Sequence, residues 1–188
     1  MNEYQRLYNG IGRVAWGYFF VYFNFNINTV NIIPTFVGYI LFLSAIDFLC
    51  EEERELDLLR VLVGILTVWH IVSWLASLVS IDLDGMLQAA DIVIGVVNIY
   101  FHFQLLTNLA SIALKYQPEG CYLNEQLLHY RTLQTVLLTA VIIVGYLSKW
   151  LPEIVTVVSV GMIIVYLMAG ILLMKALFQL RRYIPADN

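Results

Sequence analysis

Apolar residues run along this chain in long blocks, and the polar residues inside the blocks fall at helical spacing. The stretch Leu87 to Lys115 is long enough to cross a bilayer, yet it holds Asp91, Asn98, His102, Gln104, Asn108 and Ser111. Gln88, Asp91, Gly95, Asn98 and His102 step by three and four, so they share one helical face. Gln104, Asn108, Ser111 and Lys115 step likewise, on roughly the opposite face. Neither side can meet lipid without cost. The pattern therefore predicts the central helix of a membrane bundle.

The other blocks place five more helices. Spanning hydrocarbon takes about 20 residues, so the apolar run Val14–Phe23 predicts a first helix starting near Tyr4 or Leu7. The run could pass for a signal peptide, but the bulky, polar Asn24-Phe25-Asn26 offers no small-x-small cleavage site. Asn24, Asn26, Asn28 and Asn31 make a turn, with a brief strand-like alternation. Pro34 fits the first turn of a second helix ending in the acidic run Glu51-Glu52-Glu53-Arg54-Glu55. Asp57 is a candidate N-cap for a third helix, Leu58 to Ile81, with Thr67, His70, Ser73, Ser77 and Ser80 on one broad face. Asp82-Leu83-Asp84-Gly85 predicts a tight turn, and Gln117-Pro118-Glu119-Gly120 a break. Asn124 can cap an amphipathic lead-in to a fifth helix, Leu133 to Trp150; the sixth runs from Ile154 to Leu180. The expected fold is all-α: a polytopic membrane bundle of six transmembrane helices in a single domain, residues 1–188.

Composition agrees. Hydrophobic residues are 61% and charged residues 13%, against roughly 45–50% and about 25% in soluble domains. A net charge of −4 argues against nucleic acid, which calls for a clustered basic patch. Six spans put Arg6, Arg13, Arg54, Arg60, Lys115, Arg131, Lys175, Arg181 and Arg182 on or near the side of the termini, and only Lys149 on the other. The positive-inside rule then places both termini in the cytoplasm of a multi-pass cell-membrane protein. The two cysteines, Cys50 and Cys121, are too few for a disulfide framework. Both map to the cytoplasmic side, where thiols stay reduced.

Candidate chemistry centres on His70 and His102. Counted from a turn near Gly85, the two lie at nearly equal depth in neighbouring helices. With Asn98 and Asp91 they predict an intramembrane polar cluster: a proton relay, a solute site or a metal site. The structural alternative is that each histidine bonds a neighbour and ties helices together. A metal is the weaker expectation, because two His and one distant Asp are an incomplete ligand set. Arg13 and Asp47 are each 17 residues from a turn centred near Val30, so antiparallel packing predicts a structural ion pair between them.

Catalytic motifs fail one by one. Glu51-Glu52 opens like the E-E-x-x-x-R of intramembrane metalloproteases, but the Arg position is Leu56. G-x-S-x-G, H-E-x-x-H, G-x-G-D and phosphate loops are absent from the sequence. No enzyme and no cofactor are expected, and the acidic run reads as a solvated turn. Size and span number suggest the substrate-binding subunits of vitamin importers, whose A-x-x-x-A contact motif is replaced here by A-W-G-Y-F from Ala15. Gly17 to Asn26 and Gly95 to Gln104 are similar enough to raise a three-plus-three inverted repeat, with chance in an aromatic-rich chain as the alternative.

The stretch F-N-I-N-T-V-N-I-I-P-T-F-V-G-Y-I-L-F-L, beginning at Phe25, resembles the N-terminal signature of small uncharacterised polytopic membrane proteins of Gram-positive bacteria. Those carry an acidic residue before the first F-x-I and an Asp after the Pro, where this chain has Asn24 and Thr35. The resemblance implies a bacterial membrane protein and assigns no activity. The leading function is therefore a non-catalytic small-solute or ion-binding transport protein with its site between helices three and four. The alternative is an accessory or assembly protein whose polar stripes hold helices or a partner membrane protein.

Overall fold

The protein was analysed as a computed structural model that describes residues 2–23, 26–27, 30–31, 34–79, 88–147, 150 and 152–185. Helices dominate: α1 (Glu3–Tyr22), α2 (Thr35–Leu49), α3 (Leu59–Leu78), α4 (Gln88–Tyr116), α5 (Leu123–Leu147) and α6 (Pro152–Tyr183). Between α1 and α2 lies a two-residue antiparallel ladder, β1 (Asn26–Ile27) on β2 (Val30–Asn31). The expected turn at Asp82–Gly85, and Asn24, Asn28 and Lys149, lie outside the described residues.

Local chemistry explains most boundaries. Pro34 sits extended just before α2, where its missing N–H is no loss. After α4 the chain reverses through Gly120 at φ 79°, a left-handed conformation that suits glycine, with the Cys121 N–H donating to the Pro118 carbonyl at 3.0 Å. Two expected caps take other roles. Asp57 lies in a 3-10 turn, Arg54–Leu58, that leads into α3, and it pairs with Arg60 at 2.6 Å. Asn124 lies inside α5, which starts at Leu123 and takes in the expected amphipathic lead-in as one continuous helix. Its side-chain oxygen accepts from Gln117 Nε2 at 2.9 Å, and its backbone N–H donates to Gln117 Oε1 at 3.0 Å. That reciprocal clamp fixes the α4–α5 corner.

Each helix packs on its predecessor, and α6 returns to pack on α1. The core fills the middle of this closed set; it is mostly aliphatic, with an aromatic group of Tyr18 and Tyr22 from α1, Tyr39 and Phe42 from α2, and Phe101 beside His102 from α4. α1 and α2 approach closely where Gly17 and Gly38 face each other. α4 is central only in its second half. Residues such as Leu105, Leu106, Leu109 and Ile112 are wholly buried there, whereas Ile92, Val93, Val96 and Tyr100 in its first half are exposed.

Among the described residues, four helical stretches are long and apolar enough to cross a membrane: Arg54–Leu78, Ala90–Tyr116, Leu123–Leu147 and Val155–Tyr183. α1 and α2 do not meet that measure. α1 carries Glu3, Gln5, Arg6, Asn9 and Arg13, and α2 has only 15 residues. On α3 the exposed residues Val61, Ile65, Val68, Val72 and Leu75 form one apolar stripe at helical spacing. On α6 Val157, Val160, Ile164, Met168 and Ile171 form another. Water would penalise such stripes and hydrocarbon would not, so the fold is compatible with an integral membrane protein.

Candidate functional site

The polar residues of the interior meet around Tyr39, one turn into α2. Its hydroxyl donates to Asn98 Oδ1 on α4 at 2.8 Å. Its ring stacks on His70 of α3, with centroids 4.7 Å apart and planes within 10°. On the inner side His102 approaches the Tyr39 ring at 6.2 Å. Both histidines thus approach one ring, that of Tyr39 on α2. On α3, Thr67 and Ser77 turn back on their own helix, to the Val63 and Trp74 carbonyls. Asp91 is half-buried at the start of α4. Two helical turns, about 10 Å, separate it from Asn98, so it lies outside this group.

His102 is 1% exposed and enclosed by rings: Phe101 at 5.1 Å, Tyr18 at 5.3 Å and Phe42 at 5.7 Å between centroids. Its Nδ1 lies 3.2 Å from the Tyr18 hydroxyl, while its Nε2 has no hydrogen-bond partner among the described residues. Gln134, on α5, is 2% exposed. Its amide lies beside the Tyr18 hydroxyl, but neither Oε1 nor Nε2 makes a well-formed hydrogen bond among the described residues. A buried amide or imidazole without a partner costs about 1–3 kcal/mol, and such groups are rare in native folds. Three such atoms belong to His102 and Gln134, the two residues beside the Tyr18 hydroxyl. Among the described residues no group of three or more His, Cys, Asp or Glu comes together that could hold a metal. The available chemistry is hydrogen bonding to a neutral group, with rings to either side.

Sequence reasoning missed Tyr18, Tyr39 and Gln134. The signal for Gln134 was present: it is an amide seven residues after Leu127 in an apolar block, on the face that Leu127 buries. Tyr18 and Tyr39 gave none, since tyrosines are common at membrane interfaces.

One end of the bundle gathers several charged groups. Arg6 pairs with Glu51 at 2.5 Å, Lys115 with Glu52 at 3.0 Å, and Gln104 donates to Glu55 at 3.1 Å. The acidic run expected to be a solvated turn therefore fastens α1 and α4 together. The expected Arg13–Asp47 pair does not form. Asp47 binds Arg60 at 3.0 Å, while Arg13 donates to Ser44 and lies over the Phe48 ring at 4.2 Å. Register is the reason. Ile27 lies opposite Val30, so the chain reverses before Val30 rather than at it, which brings Ser44 level with Arg13. Cys50 and Cys121 are unbridged; they lie against Arg60 at 3.6 Å and the Tyr183 hydroxyl at 3.3 Å.

No family model, curated protein or solved structure matches the chain. Its function must be argued from these residues alone.

Proposed function

We propose that the chain is a six-span protein of the cytoplasmic membrane, with both termini inside, that binds a small uncharged solute at the His102–Gln134–Tyr18 centre and carries it, without catalysing a reaction. The orientation rests on the nine-to-one distribution of basic residues. Contacts of Arg6, Arg60 and Lys115 with residues 47–57 gather several of them at one end, as alternating spans require. The binding reading rests on one observation: His102 Nε2 and both amide atoms of Gln134 are buried and unbonded among the described residues. Polar groups that only tied helices together would bond one another. A ligand with a hydroxyl or carbonyl would satisfy them instead.

Replacing Gln134 with Leu separates the readings. In washed protein in detergent, Gln134→Leu should raise stability by about 1–3 kcal/mol, because an unpaired buried amide is removed. Adding an extract of host membranes should stabilise the wild type, through ligand linkage, and leave Gln134→Leu unmoved. If the extract shifts both proteins equally, Gln134 belongs to no binding site.

A further inference from the structure

The outward halves of α5 and α6 are separated by a half-open groove of about 530 Å³, within the usual size of a small-molecule site. Leu138, Val141 and Gly145 form its α5 wall, and Ser159, Met162 and Tyr166 its α6 wall. Each wall is a single stripe at spacings of three and four. The α5 stripe continues one turn inward to Gln134, whose amide is buried and unbonded among the described residues. At the groove's inner end the Tyr166 ring lies 4.4 Å from Tyr22. Tyr22 rests on Gly170, where a Cβ would stand 2.5 Å from the ring. Tyr22 in turn touches Tyr18, the partner of His102. An apolar groove in the side of the bundle thus ends at Tyr166, separated by the Tyr22 and Tyr18 rings from a polar centre with unmet hydrogen-bonding capacity.

We propose that this groove is a lateral entrance and tail-binding site for an uncharged single-chain amphiphile dissolved in the bilayer, whose hydroxyl or carbonyl end reaches Gln134 and His102. The inference rests on the reading of the centre as a binding site and adds the class of ligand and its route. Groove residues other than Ser159 and Tyr166 are apolar, which suits a hydrocarbon chain. Among the described residues, neither the groove nor the centre holds an Asp, Glu, Lys or Arg. A phospholipid headgroup, a fatty-acid carboxylate or an alkylammonium would therefore bury its charge without a counter-ion. A neutral head would instead satisfy atoms that are otherwise unbonded.

Photo-crosslinking of the full chain in nanodiscs tests this. The probes are a long-chain primary alcohol bearing a diazirine, the carboxylic acid and trimethylammonium of the same chain, and a short diazirine alcohol without the tail. Labelled residues are mapped by mass spectrometry. We expect saturable labelling of the two groove stripes by the long alcohol, with the charged probes at least tenfold weaker. Gln134→Leu should weaken the long alcohol roughly tenfold, the loss of about one hydrogen bond. Blocking should abolish it. A side chain at Gly145 would meet nothing within 4 Å, so Gly145→Cys, in a chain with Cys50→Ser and Cys121→Ser, can be alkylated with bulky maleimides after folding. Labelling that does not saturate, and that marks Val157 and Ile164 as strongly as the groove, overturns the inference. So does equal binding of the acid. If the short alcohol labels near Gln134 but the blocked groove changes nothing for the long one, the lateral route fails and the central site stands. If neither alcohol labels near Gln134, both fail.

Discussion

Gly38→Ala should destabilise the protein, although alanine is the better helix former. A Cβ at Gly38 would stand 2.7 Å from the backbone oxygen of Gly17 and 3.0 Å from Cγ2 of Val21. The first obstacle is backbone, so no rotamer change relieves it and α1 and α2 must part. Overpacking of this kind costs about 1–3 kcal/mol. The displaced helix also carries Tyr39, the next residue, whose bond to Asn98 contributes about 1 kcal/mol. Against this stands a propensity gain of about 1 kcal/mol for Gly to Ala. The net is a loss of about 1–3 kcal/mol. Gly64→Ala is the control, because a Cβ there meets nothing within 4 Å; it should gain up to about 1 kcal/mol. Reversible unfolding in mixed micelles with increasing denaturing detergent, followed by tryptophan fluorescence, gives both numbers. If Gly38→Ala is as stable as Gly64→Ala, the close crossing of α1 and α2 is wrong.

Three further outcomes follow from the contacts described. Asp47 and Arg60 have side chains about half exposed, so solvent screens the pair and their double-mutant cycle should show little coupling; Arg13→Gln and Asp47→Asn should add within about 0.5 kcal/mol, and strong coupling between those two would restore the pair the structure lacks. Tyr39→Phe keeps the ring stacked on His70 and deletes the bond to Asn98, so it should lose about 0.5–1.5 kcal/mol in the same micelle assay; an unchanged midpoint would mean the bond is not made. On the proposed orientation, a cysteine at position 28 should react with an impermeant maleimide added to intact cells and one at position 188 should not; equal labelling refutes that orientation.

Sequence patterning located the helices because lipid-facing stripes and turn residues are local signals. Pro34 marks the start of α2 and Gly120 the reversal after α4. What it could not fix was register. A shift of the reversal by less than one turn moved Ser44, rather than Asp47, opposite Arg13, and counting residues around a loop of unknown pairing does not reach that precision. The central site was half legible for a related reason. His70, His102 and Asn98 announced themselves as polar residues in apolar blocks. Their shared partner, Tyr39, came from a third helix whose rotation no periodicity specified, because nearly every position of α2 is apolar.

The shortness of α2 has a consequence beyond the chain itself. Its 15 residues cover about 22 Å, against a hydrocarbon thickness of about 30 Å. In the six-span arrangement proposed here, the bilayer beside α2 must thin, or the bundle must tilt, to meet the ladder of residues 26–31. Each ångström of such mismatch costs a fraction of a kcal/mol, so acyl-chain length becomes a variable of folding for this protein. Bilayers of short-chain lipids would favour the native bundle and long-chain ones would strain it. In a membrane of uneven thickness the protein would collect where the bilayer is already thin.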